Sequence, residues 1–230
     1  MKITKLQRKK KPPISDPLSD AREKTGLEFT RLPEQALGRA ENPWDIYETF
    51  HTTGQFKDLG RGYQQHCGPT AMTNILCTLD RRYEYPSVHS ETPEAIFEKA
   101  ALIGKHRLLY INTNLFGFWG GSNSLLIYFY LRACLRYFKV RDIRVRGRLF
   151  ATAKQAAREL EKGRLLVFQV YYHKIYGTHL VTAYGLSHYQ AADGRIRTYF
   201  QLADGWSTRP RYLALEDVRV CGYFSLEKKS

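Results

Sequence analysis

The chain has few cysteines, and none of the cysteine spacings that usually bind metal. Its 230 residues contain no CxxC pair, and the four cysteines are Cys67, Cys77, Cys134 and Cys221. Structural zinc sites place paired ligands about two to four residues apart, so no metal is predicted. The low density also argues against a disulfide framework and favours a reducing, cytoplasmic compartment. Cys77 and Cys134 lie in apolar helical contexts and are predicted to be packing residues.

The sequence also lacks a hydrophobic run long enough to cross a bilayer. The longest one, residues 125–138, is interrupted by Arg132 and Arg136, and a spanning helix needs ~20 apolar residues. The basic N-terminus has no apolar segment of the kind found in secretory signals. We therefore expect no transmembrane segment and interpret residues 125–138 as a buried helix.

Acidic residues are the scarcer charged type. The chain has 36 Lys and Arg against 22 Asp and Glu, a formal net charge of +14. Part of the excess lies in residues 2–11, and part in the body, notably at Arg141, Arg144, Arg146 and Arg148. Such a charge could attract nucleic acid, anionic lipid or an acidic polypeptide. No nucleic-acid-binding motif accompanies it, so nucleic acid is an unfavoured partner.

Two regions are distinguished by composition. Residues 1–40 are polar and charged, contain four prolines and show almost no apolar rhythm. This pattern predicts a basic, poorly ordered arm. Residues 41–230 carry the periodic apolar patterns of a folded domain, and no internal repeat is visible.

Helical patterns come first within the domain and strand patterns follow. Helices are predicted from Cys67 onward, from Pro93, within 125–138 and over 151–161, and strands over 165–172, 179–184, 197–202 and 218–224. The pair Asp193-Gly194 predicts a hairpin turn between the second and third strands. This order indicates an α+β fold in which the Cys67 helix packs on a C-terminal antiparallel sheet.

Cys67 stands at the start of a helix. Gly68 and Pro69 suit a first turn, because proline there gives up an N–H that would have no partner anyway. Ala71, Ile75 and Leu79 then recur at helical spacing. A sulfur at a helix N-terminus lies at the positive end of the helix dipole, which favours the thiolate. The position therefore predicts a nucleophile.

A histidine and an acid follow in the order that such a nucleophile needs. His179 begins one predicted strand and Asp204 ends the next. Neighbouring antiparallel strands can bring both to one end of a sheet, where the imidazole would take the thiol proton and the carboxylate would orient the ring. The alternative bases are His66, His173 and His188.

These motifs together resemble the papain-like cysteine peptidases, in particular their C39-like, bacteriocin-processing-like branch. The matching stretches are Cys67-Gly68-Pro69-Thr70-Ala71, Gly177-Thr178-His179-Leu180-Val181 and Asp204-Gly205-Trp206. The resemblance covers roughly residues 42–224. It implies a papain-like fold and cleavage of a peptide or amide bond through a thioester. The implied triad is Cys67, His179 and Asp204, the implied substrate is a peptide or protein, and no metal or organic cofactor is expected.

The chain departs from this family before the cysteine. The family usually has a glutamine several residues upstream that helps to bind the oxyanion, whereas Arg61 stands six residues before Cys67 here and the nearest glutamines are Gln64 and Gln65. Gln65 is the preferred oxyanion donor and Gln64 the second. Losing one such donor typically lowers turnover by ~10²–10³. The open alternatives are therefore an acyltransferase on the same triad and a weakly active homologue that binds peptides.

Two tryptophans are candidate substrate contacts. Trp119 belongs to an aromatic and glycine-containing stretch that could line a cleft or fill the core. Trp206 follows Asp204 and could cover the histidine and the acid, excluding water from their hydrogen bond, or contact the substrate.

Overall fold

The structure is a computed structural model that describes residues 13–37, 44, 66–115, 119–207 and 209–229. Its α-helices are α1 (Pro17–Thr25), α2 (Cys67–Tyr83), α3 (Pro86–His89), α4 (Pro93–His106), α5 (Ile127–Tyr137) and α6 (Ala153–Glu161). Its strands are β1 (Phe29–Leu32), β2 (Tyr110–Leu115), β3 (Trp119–Ser122), β4 (Ile143–Leu149), β5 (Leu165–His173), β6 (Gly177–Ala191), β7 (Ile196–Ala203), β8 (Arg211–Ala214) and β9 (Val220–Lys228). The protein is therefore α+β, as predicted.

The main sheet has seven strands, and every pairing in it is antiparallel. The order is β4-β9-β5-β6-β7-β8, and β1 pairs with the second half of β6. The predicted turn at Asp193-Gly194 joins β6 to β7, with Gly194 at a φ of +84°. Because Val170 on β5 and Ala203 on β7 pair with the first residues of β6, these strand ends meet at one end of the sheet.

Helix α2 packs on one face of this sheet. Its residues from Gly68 to Asp80 are all buried. Ile75 and Leu76 belong to the same apolar cluster as Leu165, Leu180 and other sheet residues. The continuous burial follows from the neighbours of α2, because α4 covers it on one side and β6 on another. The sheet thus holds the first turn of α2, including Cys67, in a fixed place.

Helix α6 covers the opposite face. Thr152 and Gln155 cap its start by exchanging side-chain hydrogen bonds with each other's backbone N–H groups. Leu160 packs in a second cluster with Leu166 and Phe168, which point away from α2 because successive strand residues alternate in direction. The predicted helix over 151–161 and the strands that follow it are confirmed.

The expectation of an arm without regular structure is wrong for residues 13–37. Asp16 caps α1 through the N–H of Leu18, and Gly26 ends the helix in the left-handed region. Strand β1 then pairs with β6, and Ala21 and Phe29 pack in an apolar cluster of this region. The low apolar content concealed these elements because a few buried residues, spaced by polar ones, suffice to attach a short strand to a sheet edge. Residues 1–12 and 38–40 lie outside the described part, and the domain boundary at residue 41 stays a prediction.

Strands β2 and β3 pair with each other in a separate two-stranded antiparallel sheet. The apolar run 125–138 forms a short 3₁₀ turn followed by α5, whose Tyr130, Leu131 and Cys134 are buried. Among the described residues, no helix combines the length and the apolar character that crossing a membrane requires.

Candidate active site

The structure brings the three predicted catalytic residues to one pocket. Cys67 opens α2, His179 is the third residue of β6, and Asp204 directly follows β7. The pocket has a volume of about 190 Å³ and is lined by His66, Cys67, Thr70, Tyr176, Thr178, His179, Asp204, Gly205 and Trp206. Cys67 is partly exposed and lines the pocket.

Cys67 and His179 form a mutually stabilising pair. Burial alone would raise the pKa of the Cys67 thiol, but the hydrogen bond and positive charge of His179 outweigh burial and lower that pKa below its ordinary value. Burial would likewise lower the pKa of His179, but the hydrogen bond and charge of the Cys67 thiolate, together with Asp204, raise it. Opposite shifts of this kind move the pair toward a thiolate and an imidazolium.

The backbone of Asp204 fixes the orientation of the His179 ring. Nε2 of His179 lies 2.6 Å from the backbone oxygen of Asp204. A carbonyl oxygen can only accept, so Nε2 must carry a proton and donate it. In the neutral ring, Nδ1 is then the unprotonated nitrogen, free to accept the proton of the thiol. This is the tautomer that a general base at this position needs.

The sequence predicted that the carboxylate of Asp204 orients the imidazole, but in the structure this carboxylate has a different role. Its Oδ1 accepts the N–H groups of Trp206 at 2.9 Å and Ser207 at 3.2 Å, and its Oδ2 accepts the hydroxyl of Tyr176 at 3.2 Å. The hydrogen bond to His179 comes from the backbone of Asp204 instead. The carboxylate therefore holds the turn that presents this carbonyl, and its negative charge adds to the raised pKa of His179.

Two aromatic rings flank the imidazole. The ring of Tyr176 stacks on His179 with 5.6 Å between centroids and 5° between planes, and Trp206 lies 4.6 Å from His179 on centroids. The negative face of an aromatic ring attracts positive charge, so both rings favour the imidazolium. Trp206 is also 48% exposed, which leaves part of its ring available to the pocket. Its predicted covering role agrees with this geometry, and its contact with substrate stays a prediction.

Tyr176 is the residue of this site that sequence reasoning missed. It lies just before β6, and its hydroxyl ties the hairpin to the Asp204 carboxylate. Burial, together with that carboxylate, raises the pKa of Tyr176, so the phenol remains a donor. The only signal in the sequence is an aromatic residue three positions before His179, and many strands begin in that way.

The three alternative bases hydrogen-bond to groups other than the Cys67 sulfur, although His66 also lines the pocket. His66 precedes α2 and lies 2.9 Å from the Thr70 hydroxyl through Nδ1. His173 uses Nδ1 to accept the N–H groups of Ile175 and Tyr176, which shapes the β5–β6 turn. His188 pairs with Thr198 far along β6. Of the described histidines, His179 is the one whose hydrogen bond and charge lower the pKa of Cys67.

The remaining cysteines differ from Cys67 in environment. Burial raises the pKa of Cys77 to about 12, and burial also raises the pKa of Cys134. Both are packing residues, as predicted. Cys221 is exposed on β9. Among the cysteines, Cys67 alone lines the pocket that holds His179.

Several predicted site residues lie outside the description. Gln64 and Gln65, the predicted oxyanion donors, are not among the described residues, and neither is the side chain of Trp119. The described part still offers donors, because the first N–H groups of a helix have no partner within it. Here the N–H group of Cys67 is such a donor, whereas the Gly68 N–H hydrogen-bonds to the Cys67 sulfur and Pro69 has no N–H.

Within the described residues, no group of three or more His, Cys, Asp or Glu side chains is arranged to hold a metal ion. No family model matches this chain, and the comparison with curated proteins finds none that is similar to it.

One prediction follows from the two separate roles of Asp204. In Asp204→Asn, the amide oxygen can still accept the N–H groups of Trp206 and Ser207, so the backbone carbonyl should stay on His179. We expect the iodoacetamide rate of Cys67 at pH 6 to fall by less than about tenfold. In a serine protease, where the carboxylate itself holds the imidazole, the same change of Asp to Asn lowers kcat by ~10⁴. The pKa of His179, followed by NMR, should fall modestly because a negative charge is lost.

Asp204→Ala is the matched variant, because it removes the acceptors that hold the turn. It should reduce Cys67 reactivity more than Asp204→Asn does. A thousandfold loss in Asp204→Asn would show that the carboxylate orients the ring directly.

Proposed function

We propose that this protein is a thiol-dependent hydrolase that cleaves a peptide or amide bond. The observation that carries the proposal is the Cys67–His179 pair in the lining of one pocket, with the pKa of the thiol lowered and that of the imidazole raised. Structural cysteines are normally buried with a raised pKa, as Cys77 and Cys134 are. A thiolate stabilised in a pocket is the arrangement that nucleophilic catalysis requires.

In the proposed reaction, the Cys67 sulfur attacks the substrate carbonyl carbon and forms a tetrahedral oxyanion. His179, protonated by the thiol, then gives its proton to the leaving amine, and the carbon–nitrogen bond breaks to leave a thioester on Cys67. His179 next takes a proton from water, whose oxygen attacks the thioester and releases the acid and the thiol. The Asp204 carbonyl keeps the imidazole in its productive orientation through both steps.

The oxyanion would lie at the start of α2. The N–H group of Cys67 and the positive end of the helix dipole favour negative charge there. Gln65, or Gln64 as the second choice, would add a side-chain donor. A papain-like, C39-like fold is part of this proposal. It is supported by the helix that carries the cysteine and packs on an antiparallel sheet carrying the histidine.

The first test is selective alkylation at pH 6, in which Cys221 serves as an internal control. Cys221 is the more exposed thiol, so accessibility alone would make it react first. A stabilised thiolate would make Cys67 react first, because it is the thiolate that attacks iodoacetamide and displaces iodide. We expect Cys67 to be labelled before the other cysteines by peptide mapping. Labelling of Cys221 ahead of Cys67 would contradict the activated thiol.

The second test is hydrolysis itself. The full chain is incubated with a peptide library, and new termini are identified by mass spectrometry. Cleavage by the parent, none by Cys67→Ala, and none after labelling of Cys67 would support the proposal. Equal cleavage by parent and variant would show a contaminant. No cleavage combined with tight peptide binding that survives Cys67→Ala would overturn hydrolysis.

A further inference from the structure

A second and larger cavity lies between α5 and the edge strand β4. Its volume is about 660 Å³, and its lining consists of Tyr128, Arg132, Leu135, Arg136, Val140, Arg141, Ile143, Arg144, Val145 and Lys229. We call this cavity the basic groove. It shares no lining residue with the pocket of Cys67 and His179. The proposed hydrolysis therefore gives it no role.

Positive charge dominates the rim of the groove. Arg136 and Arg141 are exposed, and neither has a carboxylate partner among the described residues. Arg144 has a distant partner, Glu227, at 3.7 Å, and that carboxylate also binds Arg146 and Arg164. Asp142, which adjoins the rim, accepts the Tyr85 hydroxyl and lies 3.7 Å from Lys228. A concave surface with such an excess of positive charge concentrates the electrostatic field and attracts anions.

The floor of the groove is apolar. Leu135, Val140 and Ile143 are buried parts of the main core, and Val145 is partly buried against it. The surface also continues over the outside of α5. A neighbouring cavity of about 560 Å³ shares Tyr128, Arg132 and Arg136 with the groove and adds Arg107 and Phe129. Phe129 is 57% exposed. A matching ligand would therefore be a polypeptide segment that carries both negative charges and apolar side chains.

We propose that the basic groove binds an acidic, amphipathic segment of another protein. Arginine suits this partner because its planar guanidinium pairs with carboxylates through two parallel hydrogen bonds. The apolar floor would take aliphatic or aromatic side chains between the acidic ones. This proposal does not depend on catalysis by Cys67.

The aromatic side chain in the groove favours a peptide over nucleic acid. Single-stranded nucleic acids bind by stacking bases on free aromatic faces. The ring of Tyr128 is already engaged by the Arg132 guanidinium, which lies 5.6 Å from the ring centroid and donates to the Tyr128 hydroxyl at 2.9 Å. Aliphatic floor residues offer bases no hydrogen bonds.

Charge also excludes two other occupants. Residues 2–11 of the chain itself are strongly basic and would be repelled by the arginines. A second copy of the chain carries a formal charge of +14 and presents the same basic surface. An acidic segment of another protein is therefore favoured over these two occupants.

The test measures binding of a fluorescent peptide of about 12 residues, built from repeats of Glu-Glu-Leu, to full-length Cys67→Ala protein by anisotropy. The groove variant is Arg136→Glu with Arg141→Glu. The control variant is Lys154→Glu with Arg158→Glu, two exposed residues on α6 at the opposite face of the sheet. Both pairs change the net charge equally. Circular dichroism checks that each variant is folded.

We expect the groove variant to weaken peptide binding at least about tenfold, because two attractive contacts become repulsive, and the control variant by less than about twofold. Replacing each leucine of the peptide by serine should also weaken binding. Three results would overturn the proposal: no binding of the peptide, equal losses in both variants, or equal affinity for the serine peptide. Tighter binding of an oligothymidine of the same charge would identify a nucleic-acid surface instead.

Discussion

In a His179→Gln variant, hydrolysis and the alkylation rate of Cys67 at pH 6 are expected to collapse. Glutamine can still donate an N–H to the Asp204 carbonyl, but it has no nitrogen that accepts the thiol proton. A positioned general base typically contributes ~10²–10⁴ to turnover, and we expect a loss in this range. An ordinary cysteine, with a pKa of about 8.5, is only ~0.3% thiolate at pH 6.

The pH profile separates this effect from a general structural defect. His179 lowers the pKa of Cys67, so the thiolate of the parent protein should persist to a lower pH than the thiolate of an ordinary cysteine. In His179→Gln, the alkylation rate should fall with decreasing pH as for an ordinary thiol. His106→Gln, at the exposed end of α4, is the matched control and should keep the parent profile. If His179→Gln kept the pH dependence of alkylation that the parent protein shows, the ion pair between Cys67 and His179 would be refuted.

Gly68→Ala is expected to destabilise the protein by about 1–3 kcal/mol, a typical cost of overpacking a close contact. A Cβ on Gly68 would lie 1.8 Å from Oγ and 2.8 Å from Cβ of Ser122, and 3.3 Å from the Tyr130 ring. The clash lies directly beside Cys67, so α2 or β3 must move. Urea unfolding measures the lost stability, and alkylation at pH 6 reports whether the thiol has left His179.

A double variant tests whether that contact is the cause. Ser122→Gly removes both clashing atoms, and the Ser122 hydroxyl has no hydrogen-bond partner among the described residues. Ser122→Gly alone should cost about 0.5–1 kcal/mol from added backbone freedom. Gly68→Ala with Ser122→Gly should be more stable than Gly68→Ala alone. If the stability losses of the two single variants simply added in the double variant, the contact between Gly68 and Ser122 would not be the cause of the strain.

Local sequence patterns were sufficient for much of the site. The apolar rhythm after Gly68-Pro69 placed Cys67 at a helix start, and the alternation around His179 placed the imidazole on a strand. These elements agree with the prediction because the apolar residues that recur at regular spacing are the ones that become buried against the sheet. The order of strands then implied that His179 and Asp204 would meet at one end of the sheet, and they do.

Contacts between side chains and a distant backbone could not be predicted in this way. The sequence assigned the orienting hydrogen bond to the carboxylate of Asp204, but a turn closed by the N–H groups of Trp206 and Ser207 directs the backbone carbonyl to the ring instead. The attachment of β1 to β6 was missed for a similar reason. Its stability comes from partners about 160 residues away, which no local pattern records.

The sequence by itself determined the α+β order of elements and the three residues that converge, because periodicity and turn chemistry act over short distances. The tertiary structure alone decided which atom of Asp204 holds His179, that Tyr176 and Trp206 flank the ring, and that four arginines and a lysine converge over an apolar floor beside α5. These features depend on how separate elements pack, and a one-dimensional pattern does not specify that packing.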